Sequence, residues 1–266
     1  MIFQLFRRYL VSYKADIYSL LSISLIFPIM LYILVVISVM MIIKVIGNVD
    51  GEPVIRFMLN DIDVSTNYEQ FSSIGIWIVS SCFFAIYVSS TTIYRLIVQD
   101  RQLDMIHASP VSYFDVFSSL VLCSFTLGVI QLALSIGFTY FIGIVNPMSF
   151  LQILLAIANI LLLILLSSVI GIVIGSINKS ILSMLLSYIS IIFFLIFISG
   201  TFIPKSLLVD KMQNIIIYVP YVSHIESIQG LYLIDKSNFF PAIGTLAFCV
   251  IFSIMNIIYG SYYLRK

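Results

Sequence analysis

The chain has 266 residues, of which 61% are hydrophobic and 9% charged, with a net charge of +1 and a mean hydropathy of +1.15. Soluble domains carry about a quarter charged residues, so this composition belongs to an integral membrane protein. It excludes nucleic-acid binding, which would need a basic stripe or cluster that the sequence lacks.

A bilayer core takes about 20 apolar residues per helix. Runs that are continuously apolar, rather than alternating, argue for helices over a barrel. Residues 2–19 come first. Ile2, Phe3, Phe6, Tyr9, Leu10, Tyr13 and Ile17 recur at helical spacing, with Gln4, Arg7, Arg8 and Lys14 mostly on the other side. That pattern is a basic amphipathic helix suited to the inner membrane interface, in contact with lipid. The run Leu20–Ile43 is long enough to span and has no small-residue cleavage site, so it is a first span rather than a signal peptide. Residues 47–71 form an acidic outer loop with Gly47, Gly51 and Pro53, irregular or short-stranded around Asn60–Val64 and too short to bury a core.

Further spans are expected at about 72–94, 114–143, 150–177, 181–202 and 241–263. Between the second and third lies a polar island, Arg95 to Ser112, with four charged residues and one of the chain's two histidines. Within span four, Gly171-Ile-Val-Ile-Gly175 is a small-xxx-small pattern that permits close helix approach, within the subunit or across a dimer. After span five, the stretches 206–219 and 221–233, separated by Pro220, are too short to cross and too apolar for a plain loop. They are expected as two short re-entrant or interfacial helices on the outer face. The aromatics Tyr140, Tyr218 and Tyr221 are candidates for interface belts.

With the N-terminus cytoplasmic, the inner segments hold eight basic and four acidic residues, and the outer ones five basic and eight acidic. Both termini are therefore expected in the cytoplasm of a multi-pass plasma (inner) membrane protein. Cys82, Cys123 and Cys249 sit singly in apolar runs and are read as packed thiols, not metal ligands. The span interiors contain no Asp, Glu, Lys, Arg or His. Ion-coupled carriers need such groups near the midplane, channels need charge rings or a filter, and no phosphate-binding loop is present. The chain is thus not expected to be an enzyme: it offers no catalytic residues, no metal site and no cofactor site. If it drives transport, the energy enters from another subunit that docks on the island.

Four stretches carry a family resemblance: Asp100-Arg-Gln-Leu-Asp-Met-Ile-His-Ala-Ser-Pro-Val-Ser112, Tyr68-Glu-Gln-Phe-Ser-Ser-Ile-Gly75, Ser199-Gly-Thr-Phe-Ile-Pro204 and Pro220-Tyr-Val-Ser-His-Ile-Glu226. In order and spacing they resemble type-2 ABC exporter permeases. The resemblance implies an all-α integral membrane fold forming one permease domain over 1–266, with six transmembrane helices. It also implies a short cytoplasmic coupling helix between spans two and three and an outer helical hairpin between spans five and six. Partners would be a second permease subunit, as homodimer or heterodimer, and a cytoplasmic ABC ATPase that binds the ATP and magnesium. Asp100, Arg101, Gln102, Leu103, Asp104, Ile106 and Pro110 would dock that ATPase. Leu103 and Ile106 would enter a groove, the charges would fix register, and Pro110 would end the helix. Gly200, Pro204, Pro220, His224 and Glu226 would belong to the outer gate. In polysaccharide exporters of this type, aromatic rings line a channel; the counterparts here are Trp77, Phe83, Phe84, Tyr87, Phe193, Phe194 and Phe197. The chain departs from the family pattern at Asp104, Tyr113 and near Gln229. The competing readings are an ATP-independent six-span carrier and a membrane assembly or scaffold protein.

Overall fold

The computed structural model describes residues 2–15, 17–47, 54–59, 62–99, 112–145, 149–208, 211–213, 219–234, 244–251 and 253–254. Five helices in it are long and apolar enough to cross a membrane: Ser22–Ile42, Tyr68–Val98, Tyr113–Ile142, Phe150–Ile177 and Ile181–Ile198. They fall close to the first five expected spans, as in a multi-pass membrane protein. Of the sixth, 241–263, only 244–251 and 253–254 are described, as helix; its other residues lie outside the described ones.

Local chemistry sets where the helices begin. The second span, α4 (Tyr68–Tyr94), starts after Asn67, whose side chain accepts the Glu69 N–H at 3.2 Å. The third, α5 (Tyr113–Ile142), starts at a reciprocal cap. Ser112 Oγ accepts the Asp115 N–H, and the Asp115 carboxylate accepts the Ser112 N–H. Ser149 and Gln152 repeat this arrangement at α6 (Phe150–Ile177), and Ser180 caps α7 (Ile181–Phe193). Each cap answers helix N–H groups that have no intrahelical partner. The α5 helix ends at Gly143, where φ is +80° and a side chain would be strained.

The first span is built from α2 (Ile17–Leu31), a π-helical segment (Tyr32–Ile37) and α3 (Ser38–Gly47). Two more π segments follow α4 and α7, at Arg95–Gln99 and Phe194–Ile198.

The α4 helix is the centre of the bundle, with 94% of its most apolar window buried by the rest of the chain. It achieves this with small side chains. Ser80, Ser81, Ser89 and Ser90 each donate to a carbonyl one turn back, so their hydroxyls are satisfied inside α4 itself. The backbone of α6 then comes very close. A Cβ added at Gly171 would lie 2.7 Å from Ile86 O, and one at Gly175 would lie 2.8 Å from Ser90 Cα. The small-xxx-small pair thus faces α4 of the same chain. Trp77 Nε1 donates to Thr139 Oγ1 at 2.7 Å, and Ser80 shares a hydrogen bond with Ser135, tying α4 to α5.

Three elements outside the long spans have physical causes. The loop before α4 contains an antiparallel hairpin, β1 (Val54–Leu59) against β2 (Ile62–Asn67), in register Val54↔Asn67 to Leu59↔Ile62. The fold is all-α in class, with this one two-stranded hairpin in a loop. Val54, Ile55, Ile62, Val64 and Thr66 favour strand, and pairing satisfies their backbone groups. The helix α1 (Ile2–Ala15) precedes span one as an element of its own. It packs on α5, with Tyr9, Leu5 and Phe6 against Val116, Phe117 and Leu120. Arg7 and Arg8 stay exposed. Burial pushes the Tyr9 hydroxyl up to about 12, despite the opposing charge of Arg8. Lastly, the stretch 221–233 forms α8 (Pro220–Ile234), which is packed into α6 and α4 rather than spread on a surface. Of its expected companion, 206–219, a short 3₁₀ turn at Lys205–Leu207 and one helical turn at 211–213 are described, and 214–218 lie outside the described residues.

Candidate functional site

Two features of the bundle have the character of a site: a sealed end and an open seam. At the sealed end, two of the four resemblance stretches, Tyr68–Gly75 and Ser199–Pro204, far apart in sequence, touch each other, and the helix that the Pro220–Glu226 stretch begins is tied to them through Gln229 and Glu226. The Tyr68 hydroxyl donates to Phe202 O at 3.2 Å. A Cβ at Gly75 would lie 3.0 Å from both Thr201 O and the Phe202 ring, so only glycine admits this turn so closely. The turn itself depends on Gly200, at φ +85°. Gln229 Nε2 donates to Gly200 O at 2.9 Å, and Lys205 Nζ pairs with Glu226 Oε1 at 2.9 Å. Pro204 is buried beside them.

From this end α8 runs down the bundle. Tyr232 shares a hydrogen bond with Ser73 at 3.0 Å, near the start of α4, and Trp77 meets the Tyr232 ring edge-on at 6.4 Å. His224 is fully buried between α6 and the helix at 244–251. Asn159 Nδ2 donates to Leu155 O, which turns Asn159 Oδ1 toward His224 Nδ1 at 3.2 Å. An amide oxygen only accepts, so Nδ1 donates to it, and Nε2 hydrogen-bonds the Thr245 hydroxyl. The imidazole therefore clasps three helices. At the far end of α8, Tyr221 hydrogen-bonds Ser167, halfway along α6. Tyr221, expected in an interface belt, is instead buried in the middle of the bundle, because α8 turns its apolar side inward.

The seam lies on a flank of α4 that the described residues leave thinly covered. Spans one and five each pack on α4 but contact each other only sparsely. Between them run Phe83, Tyr87 and Thr91, one turn apart on α4 and among its least buried residues. Phe27 of span one stacks on Phe83 at 4.9 Å and 22°. From span five, Tyr188 meets Phe83 edge-on at 6.1 Å and Tyr87 at 5.7 Å. Its hydroxyl shares hydrogen bonds with Ser90 at 2.7 Å and Thr91 at 3.0 Å. The result is a row of aromatic rings with hydroxyls between them and no charge.

The expected aromatics divide accordingly. Phe83 and Tyr87 are on the seam. Trp77 and Phe84 are buried in the core, and Phe193 and Phe197 stack on each other on an exposed face of span five. Phe194 contacts Tyr221 edge-on. A separate apolar cleft of about 720 Å³ lies between α5, α6 and the 244–254 segment, lined by Phe117, Val121, Phe125, Val169, Cys249 and Val250. All three cysteines are free and buried, and no group of three metal-ligating side chains occurs among the described residues.

The expected docking residues Asp100, Arg101, Gln102, Leu103, Asp104, Ile106 and Pro110 lie outside the described residues. Ser112, which ends that stretch, is the cap of α5. Lys14 is in α1 and Pro220 opens α8. Not anticipated from the sequence were Phe27, Asn159, Ser167, Tyr188 and Thr245. The signal present was a polar residue inside an apolar span, which in lipid must find a partner.

No protein-family model, curated protein or solved structure matches this chain.

Proposed function

We propose that the chain is the transmembrane subunit of an ATP-driven exporter of the type-2 ABC class. It pairs with a second permease subunit and draws its energy from a separate ABC ATPase. The observation that carries this reading is the contact of Tyr68–Gly75 with Gly200–Phe202 at one end of α4, to which α8 is tied by Gln229 and, beside it, by the Lys205–Glu226 pair. Two stretches chosen for their resemblance to one family are in contact, and the helix that the third begins is tied to them.

In this reading 241–263 is the sixth span, and both termini face the cytoplasm. The α8 helix is the inner limb of a re-entrant outer hairpin that seals the exit. The α1 helix rests in the inner leaflet interface through Arg7, Arg8 and Lys14. The path runs along the seam, closed by the second subunit. Its rings and hydroxyls suit a neutral or amphipathic cargo: a lipid-linked glycan, a lipid or a hydrophobic drug-like molecule. Rings offer apolar area and hydroxyls offer hydrogen bonds, while nothing there would hold a small ion.

Affinity purification of the full chain from native membranes tests this reading. An ABC ATPase is expected to co-purify, and Leu103→Asp or Arg101→Glu is expected to remove it while the permease still accumulates. Absence of any ATPase from the wild-type preparation sinks the proposal.

A further inference from the structure

Span one contains a proline, and a residue of span three answers the carbonyl it leaves open. Pro28 lies inside α2. Proline has no N–H, so the carbonyl one turn earlier, that of Ser24, loses its helical partner. In lipid no water replaces it. Gln131 of α5 supplies the missing donor: its Nε2 donates to Ser24 O at 2.9 Å. Both residues are buried, Gln131 at 1% exposure and Ser24 at 6%. The other half of the same amide, Oε1, has no hydrogen-bond partner among the described residues. Gln131 is therefore held from one side only, by the carbonyl that Pro28 leaves open.

The surroundings make this contact mechanical. Four residues beyond Pro28 the helix becomes π-helical, Tyr32–Ile37. Proline positions and π turns are the two commonest places where a helix bends. Ser24, Pro28, Leu31 and Val35 form the buried stripe of span one, so the bend faces the bundle. Phe27, next to Pro28, is the residue that stacks on Phe83 at the seam. Gln131 also begins a row on α5. Ser135 and Thr139 follow at four-residue steps and bind Ser80 and Trp77 of α4. The row thus anchors α5 to the central helix at two points and reaches across to span one at the third.

We propose that Gln131 is a latch on the Pro28 hinge of span one: while its amide holds the Ser24 carbonyl, Phe27 stays on Phe83, and releasing it lets the segment beyond Pro28 swing and open the seam. The role of that opening in transport rests on the function proposed above; the latch itself does not. A glutamine is suited to the task because it donates to a backbone carbonyl without carrying a charge into the membrane.

The experiment is a double-mutant cycle on the full chain in lipid nanodiscs, read by hydrogen exchange of residues 29–38. Gln131→Leu is expected to speed exchange there by about tenfold or more, the signature of local opening. Pro28→Ala restores the N–H that serves Ser24 O. Adding Gln131→Leu to Pro28→Ala is therefore expected to change exchange less than about twofold. Equal acceleration in both backgrounds, or none in either, overturns the latch. If Gln131→Leu alone does not fold and Pro28→Ala rescues it, the proposal stands; if the double variant also fails to fold, while Gln131→Met behaves the same with and without Pro28→Ala, it falls. No ATPase or transport enters this readout, so its failure leaves the proposed function untouched, and the reverse also holds.

Discussion

Span two and its neighbours one and five cross the same bilayer and are built from similar residues, but they sit in opposite surroundings. The central helix α4 has 94% of its window buried inside the chain, against 17% for span one and 22% for span five. Hydropathy does not explain the difference, because the buried helix is the least hydropathic of the five, at 1.8 against 2.8 and 2.7 for spans one and five. In lipid the hydrophobic effect does not sort helices into inside and outside. Close packing does, and it needs small residues. Serines on α4 and glycines on α6 supply them, while Leu25, Ile26, Leu34, Leu185, Leu186 and Ile189 leave spans one and five with exposed faces. A dense, lightly apolar helix is the fixed part, and the greasier helices beside it are the ones with faces the rest of the chain leaves exposed.

Three substitutions would break or sharpen this contrast. The largest effect is expected at the fixed part. Gly175→Leu drives a side chain into the α4 backbone at Ser90 and should cost about 3 kcal/mol or more. Thermal unfolding in detergent, or failure of the protein to accumulate, reads this out; an unchanged midpoint would mean that α6 does not touch α4 there. An intermediate effect is expected at the tie between the two classes. Tyr188→Phe removes the hydroxyl shared with Ser90 and Thr91 and should cost about 1 kcal/mol. The cost stays modest because Ser90 keeps its own bond to Ile86 O. The smallest effect belongs to the exposed face. Ile189→Ala should stay within about 0.5 kcal/mol in the isolated monomer, since that side chain is 63% exposed.

The N-terminal helix lies between these extremes and can be tested by pH. Burial raises the Tyr9 phenol from 10.0 to about 12. The packed helix favours the protonated phenol, so this contribution is whole below pH 10 and is lost as pH rises through about 12. The near-ultraviolet phenolate titration of wild type and Tyr9→Phe should therefore coincide at pH 10 and separate only above it. Separation at lower pH would mean that α1 does not rest on Phe117 and Leu120.

The sequence made the spans legible because a bilayer demands a fixed length of apolar helix, and four of the starts fall beside a Ser or Asn cap. It made the small-xxx-small pair legible for the same steric reason that the structure displays. It hid what depends on partners. Pro28 announces an open carbonyl at Ser24, but nothing local says that Gln131, 107 residues away, answers it. His224 reads as an outer residue from its place after span five, whereas its partners Asn159 and Thr245 draw it into the bundle. The loop at 47–71 read as irregular or short-stranded, but the pairing at 54–67 stayed out of view, because short acidic loops and short strands share a composition and only pairing distinguishes them.

The three π segments carry a consequence for how this chain can change over time. A π turn is an α-helix holding one residue too many, accommodated as a local bulge. Removing one residue from Tyr32–Ile37, Arg95–Gln99 or Phe194–Ile198 would relax the bulge to ordinary helix and turn everything beyond it by one position. The same deletion inside α6 would carry Gly171 or Gly175 off α4. Insertions and deletions of single residues, which most membrane helices cannot absorb, therefore have three permitted addresses here. All three lie at or beyond the edge of the close-packed centre, where a change of register redirects a helix without unseating the bundle.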